Sequence, residues 1–258
     1  MTSIQFEIKD SIAYIHLNRP EKFNAFNREM ALFLQEKLDA CERNISIRCV
    51  VITGNGKAFS AGQDLAEVVD PEGPGMIKIL AEHYNPIVSR IRKLNKPVIA
   101  AVNGVAAGAG ANIALCCDIV LAGKSASFIQ AFSKIGLIPD SGGTYFLPRL
   151  IGFQKASAIM MLGDRISAEE AEKMGMIYRV LPDETFMEEV NQIAQTLAEM
   201  PTKGLAFTKQ ALNLSMEQGF EQQLNTEDSL QQKAAATNDF KEGVDAFMGK
   251  RKPEFRGD

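Results

Sequence analysis

The 258 residues are 46% hydrophobic and 23% charged, the balance of a chain that buries a substantial core as one large domain or one domain with an appendage. A net charge of −4 argues against nucleic acid as the main partner, and no apolar run approaches the ~20 residues that a membrane span needs. The start, Met1-Thr2-Ser3-Ile4-Gln5, has no basic region followed by an apolar one, so no signal peptide is expected and the protein is read as cytoplasmic.

In chain order, residues 11–17 carry Ile12, Tyr14, Ile15 and Leu17 and predict a strand. Residues 27–44 place Met30, Leu32, Phe33, Leu34 and Leu38 at helical spacing. The apolar run 48–53 predicts a strand buried on both faces. Residues 76–94 predict a helix with a kink or break at Pro86, and 98–102 a strand. A helix over 108–117, a strand over 118–122 and a helix over 141–151 follow. This alternation implies ββα-type units in a mostly parallel arrangement, but periodicity alone does not separate that from a doubly wound sheet. After about residue 184 the strand signal ends, and 185–200, 202–219 and 222–248 read as helices punctuated by Pro201 and Gly219.

Three turns carry the chemistry. The first is Ala58-Phe59-Ser60-Ala61-Gly62-Gln63-Asp64-Leu65, the second Asn103-Gly104-Val105-Ala106-Ala107-Gly108-Ala109-Gly110, and the third Ile138-Pro139-Asp140-Ser141-Gly142-Gly143-Thr144. Two turns able to present backbone N–H groups, together with one carboxylate, suffice to stabilise an enolate oxygen and move a proton beside a carbonyl. Each turn also has a plainer explanation. Asp140 after a proline suits a helix N-cap or β-turn, and the glycines suit close strand–helix packing.

Other polar residues read as structural. Asp64 is placed to cap the helix after the first turn. His16 in a strand and His83 in a helix read as structural or exposed. Cys41, Cys49, Cys116 and Cys117 lack zinc-ligand spacing and read as buried reduced thiols, and with only two histidines no metal site is expected. Met160, Met161, Met174 and Met176 suit core filling or an adaptable pocket wall.

Together with Leu17-Asn18-Arg19-Pro20-Glu21-Lys22-Phe23-Asn24-Ala25, Lys96 to Gly104, Cys117-Asp118-Ile119, Leu147-Pro148-Arg149 and Gly163 to Ala168, the three turns stand in the order and at the gaps of one family. The chain resembles the crotonase, or enoyl-CoA hydratase/isomerase, superfamily over almost its whole length. Within it, Ala106 to Ala111 and the Ile138-Pro139-Asp140 turn resemble the ring-1,2-epoxyphenylacetyl-CoA isomerases. The resemblance implies an α/β fold, a right-handed spiral of ββα units over 1–184 holding the acyl-CoA site. It also implies a helical oligomerisation region over 185–258 that assembles trimers, or trimers paired into hexamers. No cofactor is implied beyond the coenzyme A of the thioester substrate.

By the same resemblance, Asp140 is the general base and acid, and the backbone N–H groups of Gln63 and Ala109 are the oxyanion donors. Phe23, Ala25, Ser60, Ala61, Asp64, Leu65, Gly108, Gly110 and Pro139 are expected around the substrate. Val68, Val69, Met76, Ile79 and Leu80 are expected in the pocket wall. The basic stretch 250–255 is either a solvated tail or a neighbour of the coenzyme A phosphates. Hydratases of the superfamily hold water with two glutamates, and those positions align with Asn112 and Phe132 here, which favours isomerisation over hydration. The alternatives are an enoyl-CoA hydratase, an aromatic-CoA dehalogenase with a nucleophilic aspartate, and a non-catalytic RNA-binding or scaffold member. The dehalogenase pocket leans on tryptophan, of which this chain has none.

Overall fold

The computed structural model describes residues 2–258; Met1, the first residue of the start read above as leaderless, lies outside them. The chain opens with a hairpin where the sequence pattern predicts a single strand. β1 (Ile4–Lys9) pairs antiparallel with β2 (Ile12–Leu17). Asp10 and Ser11 join them, both at positive φ, which suits a tight hairpin turn. The alternation of Ile4, Phe6 and Ile8 with polar residues is the period-2 signal of β1.

α1 (Arg28–Arg43) follows, its N-terminus closed by the Asn27 side chain, which accepts the Met30 N–H at 3.0 Å. Three strand pairs then repeat one plan. β3 (Cys49–Gly54) leads to β4 (Ala58–Ser60), and the helical stretch α2 (Leu65–Val69), α3 (Gly75–Lys78) and α4 (Asn85–Lys93) follows. β5 (Val98–Val102) leads to β6 (Val105–Ala107) and α5 (Ala109–Leu115). β7 (Ile119–Gly123) leads to β8 (Ser127–Ile129), then α6 (Gly143–Ile151) and α7 (Phe153–Leu162). In each pair the first strand joins a six-stranded sheet of order β1-β2-β3-β5-β7-β10 and the second joins a four-stranded sheet, so the chain winds as a spiral of ββα turns. The latter runs β4-β6-β8-β9, with β9 (Arg165–Ser167) antiparallel to β8. After α8 (Ala168–Lys173), β10 (Arg179–Leu181) completes the larger sheet, parallel to β7.

The strands predicted as buried on both faces are so. On β3, Val50 and Ile52 face the core shared with α1 and α4. Cys49 and Val51 face α9 (Phe186–Glu199), which lays Phe186, Val190, Ala194 and Ala198 on the sheet. Burying the larger of these side chains contributes about 1.5–3 kcal/mol each. α10 (Thr202–Ser215) and α11 (Phe220–Ala235) follow. The helix predicted over 222–248 is two helices: the chain breaks at Ala236 and restarts as α12 (Asn238–Met248), where Thr237 Oγ1 accepts the Phe240 N–H at 3.1 Å.

The break predicted at Pro86 takes the form of a π-turn, Ile79–Tyr84, between α3 and α4. Proline has no N–H to give the carbonyl four residues back, that of Glu82. The Gln35 side chain donates to that carbonyl instead, at 2.7 Å, and more weakly to His83 O at 3.3 Å. The wide turn brings His83 and Tyr84 inward, and both are fully buried.

All four cysteines are buried and free, as expected. Of the four methionines read as core filling or pocket wall, Met176 is in the core, Met160 and Met174 pack at its edge and Met161 is exposed; none of these four lines the site cavity. In the C-terminal stretch, read either as a solvated tail or as a neighbour of the coenzyme A phosphates, Arg251 pairs with Glu242 and Lys252 with Glu199 at 2.9 Å.

Candidate active site

The three turns meet at one cavity of about 450 Å³, within the size range of small-molecule sites. Gln63 and Ala61 line it from the first turn, Gly108 and Ala109 from the second, and Asp140 from the third. Leu65, Val68, Val69, Met76, Ile79, Phe132, Ile135 and Leu137 make the rest of the lining largely apolar, as expected of several of them; Leu80 packs on the core instead.

Residues 19–26 build the platform behind the first turn. The buried Asn24 side chain accepts the Arg19 N–H at 2.8 Å and donates to Asn55 O and Ala58 O. Ser60 Oγ donates to Asn24 O at 2.8 Å, and the Ala61 N–H donates to Phe23 O at 2.9 Å. Arg19 reaches Ala25 O at 2.6 Å and pairs with Asp64 at 2.9 Å, while the other Asp64 oxygen caps α2 at the Ala66 N–H. Ser60, Asp64, Ala25 and Phe23, expected around the substrate, do not line this cavity; Ser60, Asp64 and the backbone of Ala25 and Phe23 hold the turn that forms it, and the Phe23 side chain is exposed. Gly110 does not line the cavity either, and Pro139 only leads into Asp140.

The Phe26 N–H donates to Gly62 O at 2.6 Å, and the Asp64 N–H donates to Phe26 O at 2.8 Å. A trans peptide points its C=O and N–H in opposite directions, so the N–H of Gln63 faces away from Phe26. Among the described residues no protein group accepts it, nor the N–H of Ala109, the first residue of α5. The two turns touch. Gly62 has φ +87°, and a Cβ there would lie 2.8 Å from Ala107 O and 3.3 Å from Ala109 N. A Cβ on Gly110 would lie 2.6 Å from Ser60 O. Close packing and donor placement thus have a single cause: the glycines let one N–H-bearing turn rest on the other.

Asp140 does not cap a helix. The N-cap of α6 is Gly142, and no side chain closes that end. The Asp140 carboxylate takes one hydrogen bond from a neighbouring side chain, from Ser141 Oγ at 2.9 Å. Burial pushes its pKa above the ordinary aspartate value, and the Ser141 hydroxyl pulls partly the other way. The turn is pinned through its backbone: Asp140 O accepts the Gly143 N–H at 2.8 Å and Asn112 Nδ2 at 2.9 Å. Asn112 Oδ1 in turn accepts Gln130 Nε2 at 2.7 Å. Asn112 is buried with both side-chain atoms engaged, and Phe132 lines the cavity with a ring, so neither aligned position supplies a carboxylate.

Sequence reasoning missed Tyr84, Ala131, Lys134, Ile135 and Leu137 in the lining. A lone tyrosine two residues before a proline carries no pattern, and its inward aim depends on the π-turn. Tyr84 donates its hydroxyl to Gln63 Oε1 at 2.7 Å. Burial holds its pKa well above the ordinary tyrosine value, with the Asp140 charge adding to this. His16 is half-buried in β2, and His83 is buried away from the cavity lining. No cluster of metal-binding side chains exists among the described residues.

The family model described as enoyl-CoA hydratase/isomerase matches residues 7–258. The chain is 47% identical to the 1,2-epoxyphenylacetyl-CoA isomerase of Escherichia coli K12 over 260 residues, covering 100% of this chain and 99% of that protein. It is 42% identical to a probable enoyl-CoA hydratase of Rhodobacter capsulatus, covering 99% of this chain and 98% of that protein. Among solved structures, the enoyl-CoA hydratase from Bacillus anthracis superposes with a TM-score of 0.94 at 31% identity, covering 99% of this chain and 100% of that one.

Proposed function

The chain is an enzyme of the enoyl-CoA hydratase/isomerase family, and from that premise we propose that it isomerises an acyl-CoA thioester through an enolate, with 1,2-epoxyphenylacetyl-CoA as substrate and the seven-membered oxepin form as product. The observation that carries the reading is one half-buried, uncapping carboxylate, Asp140, lining the same cavity as two backbone turns with free N–H groups. In this reading Asp140 takes an α-proton, the Gln63 and Ala109 N–H groups hold the charge on the thioester oxygen, and Asp140 returns the proton to another carbon. One proton leaves and one returns, and no water enters. Each oxyanion donor contributes roughly 3 kcal/mol of transition-state stabilisation. The raised pKa of Asp140 makes it a stronger base than an exposed aspartate while leaving it able to give the proton back.

The identity to the Escherichia coli isomerase supports the aromatic epoxide, and the apolar lining from Leu65 to Leu137 suits a ring. A shift of 3-enoyl-CoA to 2-enoyl-CoA needs the same groups and is proposed as a second activity. The coenzyme A is part of the substrate, and no further cofactor enters the mechanism. Assembly as a trimer or a dimer of trimers is proposed from the apolar side chains that α11 and α12 leave exposed. Purified protein incubated with a panel of acyl-CoAs and read by mass spectrometry and ultraviolet absorbance tests the assignment. Isomerisation leaves the mass unchanged and shifts the absorbance, whereas a gain of one water would replace it with hydration.

A further inference from the structure

We propose that Tyr84 is a positioning residue that acts through the side chain of Gln63, an inference that rests on the enolate reading above. Gln63 does two things in the site: its backbone N–H is free toward the cavity, and its side chain also lines it. A mobile amide there would have two competitors for its donors, the Asp140 carboxylate and the substrate oxygen. In the structure both ends of the amide are engaged. Gln63 Oε1 accepts the Tyr84 hydroxyl at 2.7 Å, and Gln63 Nε2 donates to Glu67 Oε2 at 2.8 Å. Glu67 is itself held, because its Oε1 accepts the Arg28 N–H at 2.8 Å.

The clamp ties the N-terminus of α1, the start of α2 and the π-turn to a single residue of the first turn. Gln63 follows Gly62, whose φ of +87° belongs to the one residue type with little backbone preference of its own. The turn therefore depends on its neighbours for rigidity, and a donor displaced by a few tenths of an ångström stabilises an oxyanion less. Tyr84, the only fully buried tyrosine among the described residues, stands at the end of the clamp that faces the cavity, with its hydroxyl spent on Gln63. Pro86, which has no N–H to give Glu82 O, follows directly on the π-turn that places Tyr84 inward.

The test is Tyr84→Phe, which removes one oxygen and keeps the ring. The probe is phenylacetyl-CoA carrying ¹³C at the thioester carbonyl. Exchange of its α-protons in deuterated water reads enolate formation, and the infrared carbonyl band of the bound thioester reads the oxyanion donors directly. The variant is expected to exchange about 10-fold more slowly at saturation, part of the ~10²–10³-fold effect of losing one donor outright, with KM within about twofold. Its bound carbonyl band should lie closer to that of free thioester than in the wild type. In a Gln63→Ala background, where the clamp has no side chain to hold, Tyr84→Phe should change neither readout. Equal exchange and an equal band in Tyr84→Phe and wild type overturn the role of Tyr84 and leave the enolate reading standing. A loss of the same size in the Gln63→Ala background overturns the route through Gln63. A wild type that neither exchanges α-protons nor shifts the carbonyl overturns both.

Discussion

Asp140 is half-buried, with no cationic partner among the causes that move its pKa, and two outcomes follow from that. Its folded-state pKa lies above its unfolded value, so its contribution to stability is fully present at low pH and is lost as pH rises through the folded value. At neutral pH the ionised carboxylate therefore opposes folding. Asp140→Asn should lose about 10²–10⁴-fold in isomerisation rate, as expected for a general base. Its melting temperature at pH 7 should equal or exceed that of the wild type. A variant that keeps the wild-type kcat would reduce Asp140 to a turn residue. The acid limb of the kcat/KM profile should fall above the ordinary aspartate value, in the direction burial moves it. Water chemistry is decided by two other residues. Asn112 cannot take a proton from water at neutral pH, and both its polar atoms are already engaged with Asp140 and Gln130. Phe132 has no polar atom. Crotonyl-CoA should consequently be hydrated far below ~10 s⁻¹, a median rate for enzymes, and stopped-flow absorbance at or above that rate would restore the hydratase reading. Gln63, Ala109 and Asp140 could be singled out from sequence only through the family resemblance, because a glycine or proline turn by itself is equally well explained by a helix cap or by close strand–helix packing. Tyr84 could not, because what aims it is a hydrogen-bond exchange at Glu82 O involving Gln35 on a different helix.

That exchange is a property of an element, the π-turn Ile79–Tyr84, and the turn carries its own signature in His83. The ring is fully buried; Nε2 lies 3.3 Å from Arg28, and Nδ1 has no partner among the described residues. Burial pushes its pKa below the ordinary value, with Arg28 acting in the same direction and Glu67 and Glu82 opposing it. The folded pKa lies below the unfolded one, so the unfolded chain gains protons first as pH falls. Stability is then present above about pH 6.5, the ordinary histidine value, and is lost as pH drops from there through the folded value. Thermal melts at pH 7.5 and pH 5.5 should show a fall that His83→Gln reduces, and an unchanged difference between the two pH values in the variant would place the sensitivity elsewhere. At this scale legibility follows length. α1 has four turns of pattern and a capping asparagine, and its limits are readable to a residue. β4, β6, β8 and β9 have three residues each, too few to display a period of two, and they build the second sheet. The spiral is therefore visible in sequence only as a family resemblance, since three-residue strands are specified by partners far along the chain.

Across the whole molecule the open question in the sequence is what the apolar faces beyond residue 184 meet. α9 meets its own sheet, burying Val190, Ala194 and Ala198, which a helical pattern alone cannot distinguish from a face kept for a neighbour. α11 and α12 differ. Phe247 is 83% and Met248 76% exposed, and Phe220, Leu224, Phe240 and Val244 add to the same two helices. Phe240, Val244, Phe247 and Met248 line one apolar groove with Pro201 and Phe255. Monomers rarely leave contiguous apolar patches beyond a few hundred Å², and large exposed aromatic groups in solvent favour association by roughly 25 cal/mol per Å² covered. The tail that borders the groove is tied down, with Arg48 donating to Met200 O and Phe255 O and the Asp239 carboxylate accepting the N–H groups of Arg256 and Gly257. The groove is thus bordered by a tail that is held in place. Light scattering at micromolar concentration should give the mass of a trimer or hexamer. Phe247→Asp combined with Met248→Asp should lower that mass without changing the far-ultraviolet circular dichroism, because both side chains are mostly in solvent within one subunit. A wild-type monomer at that concentration would contradict the assembly, and an unchanged mass in the double variant would move the interface away from α12.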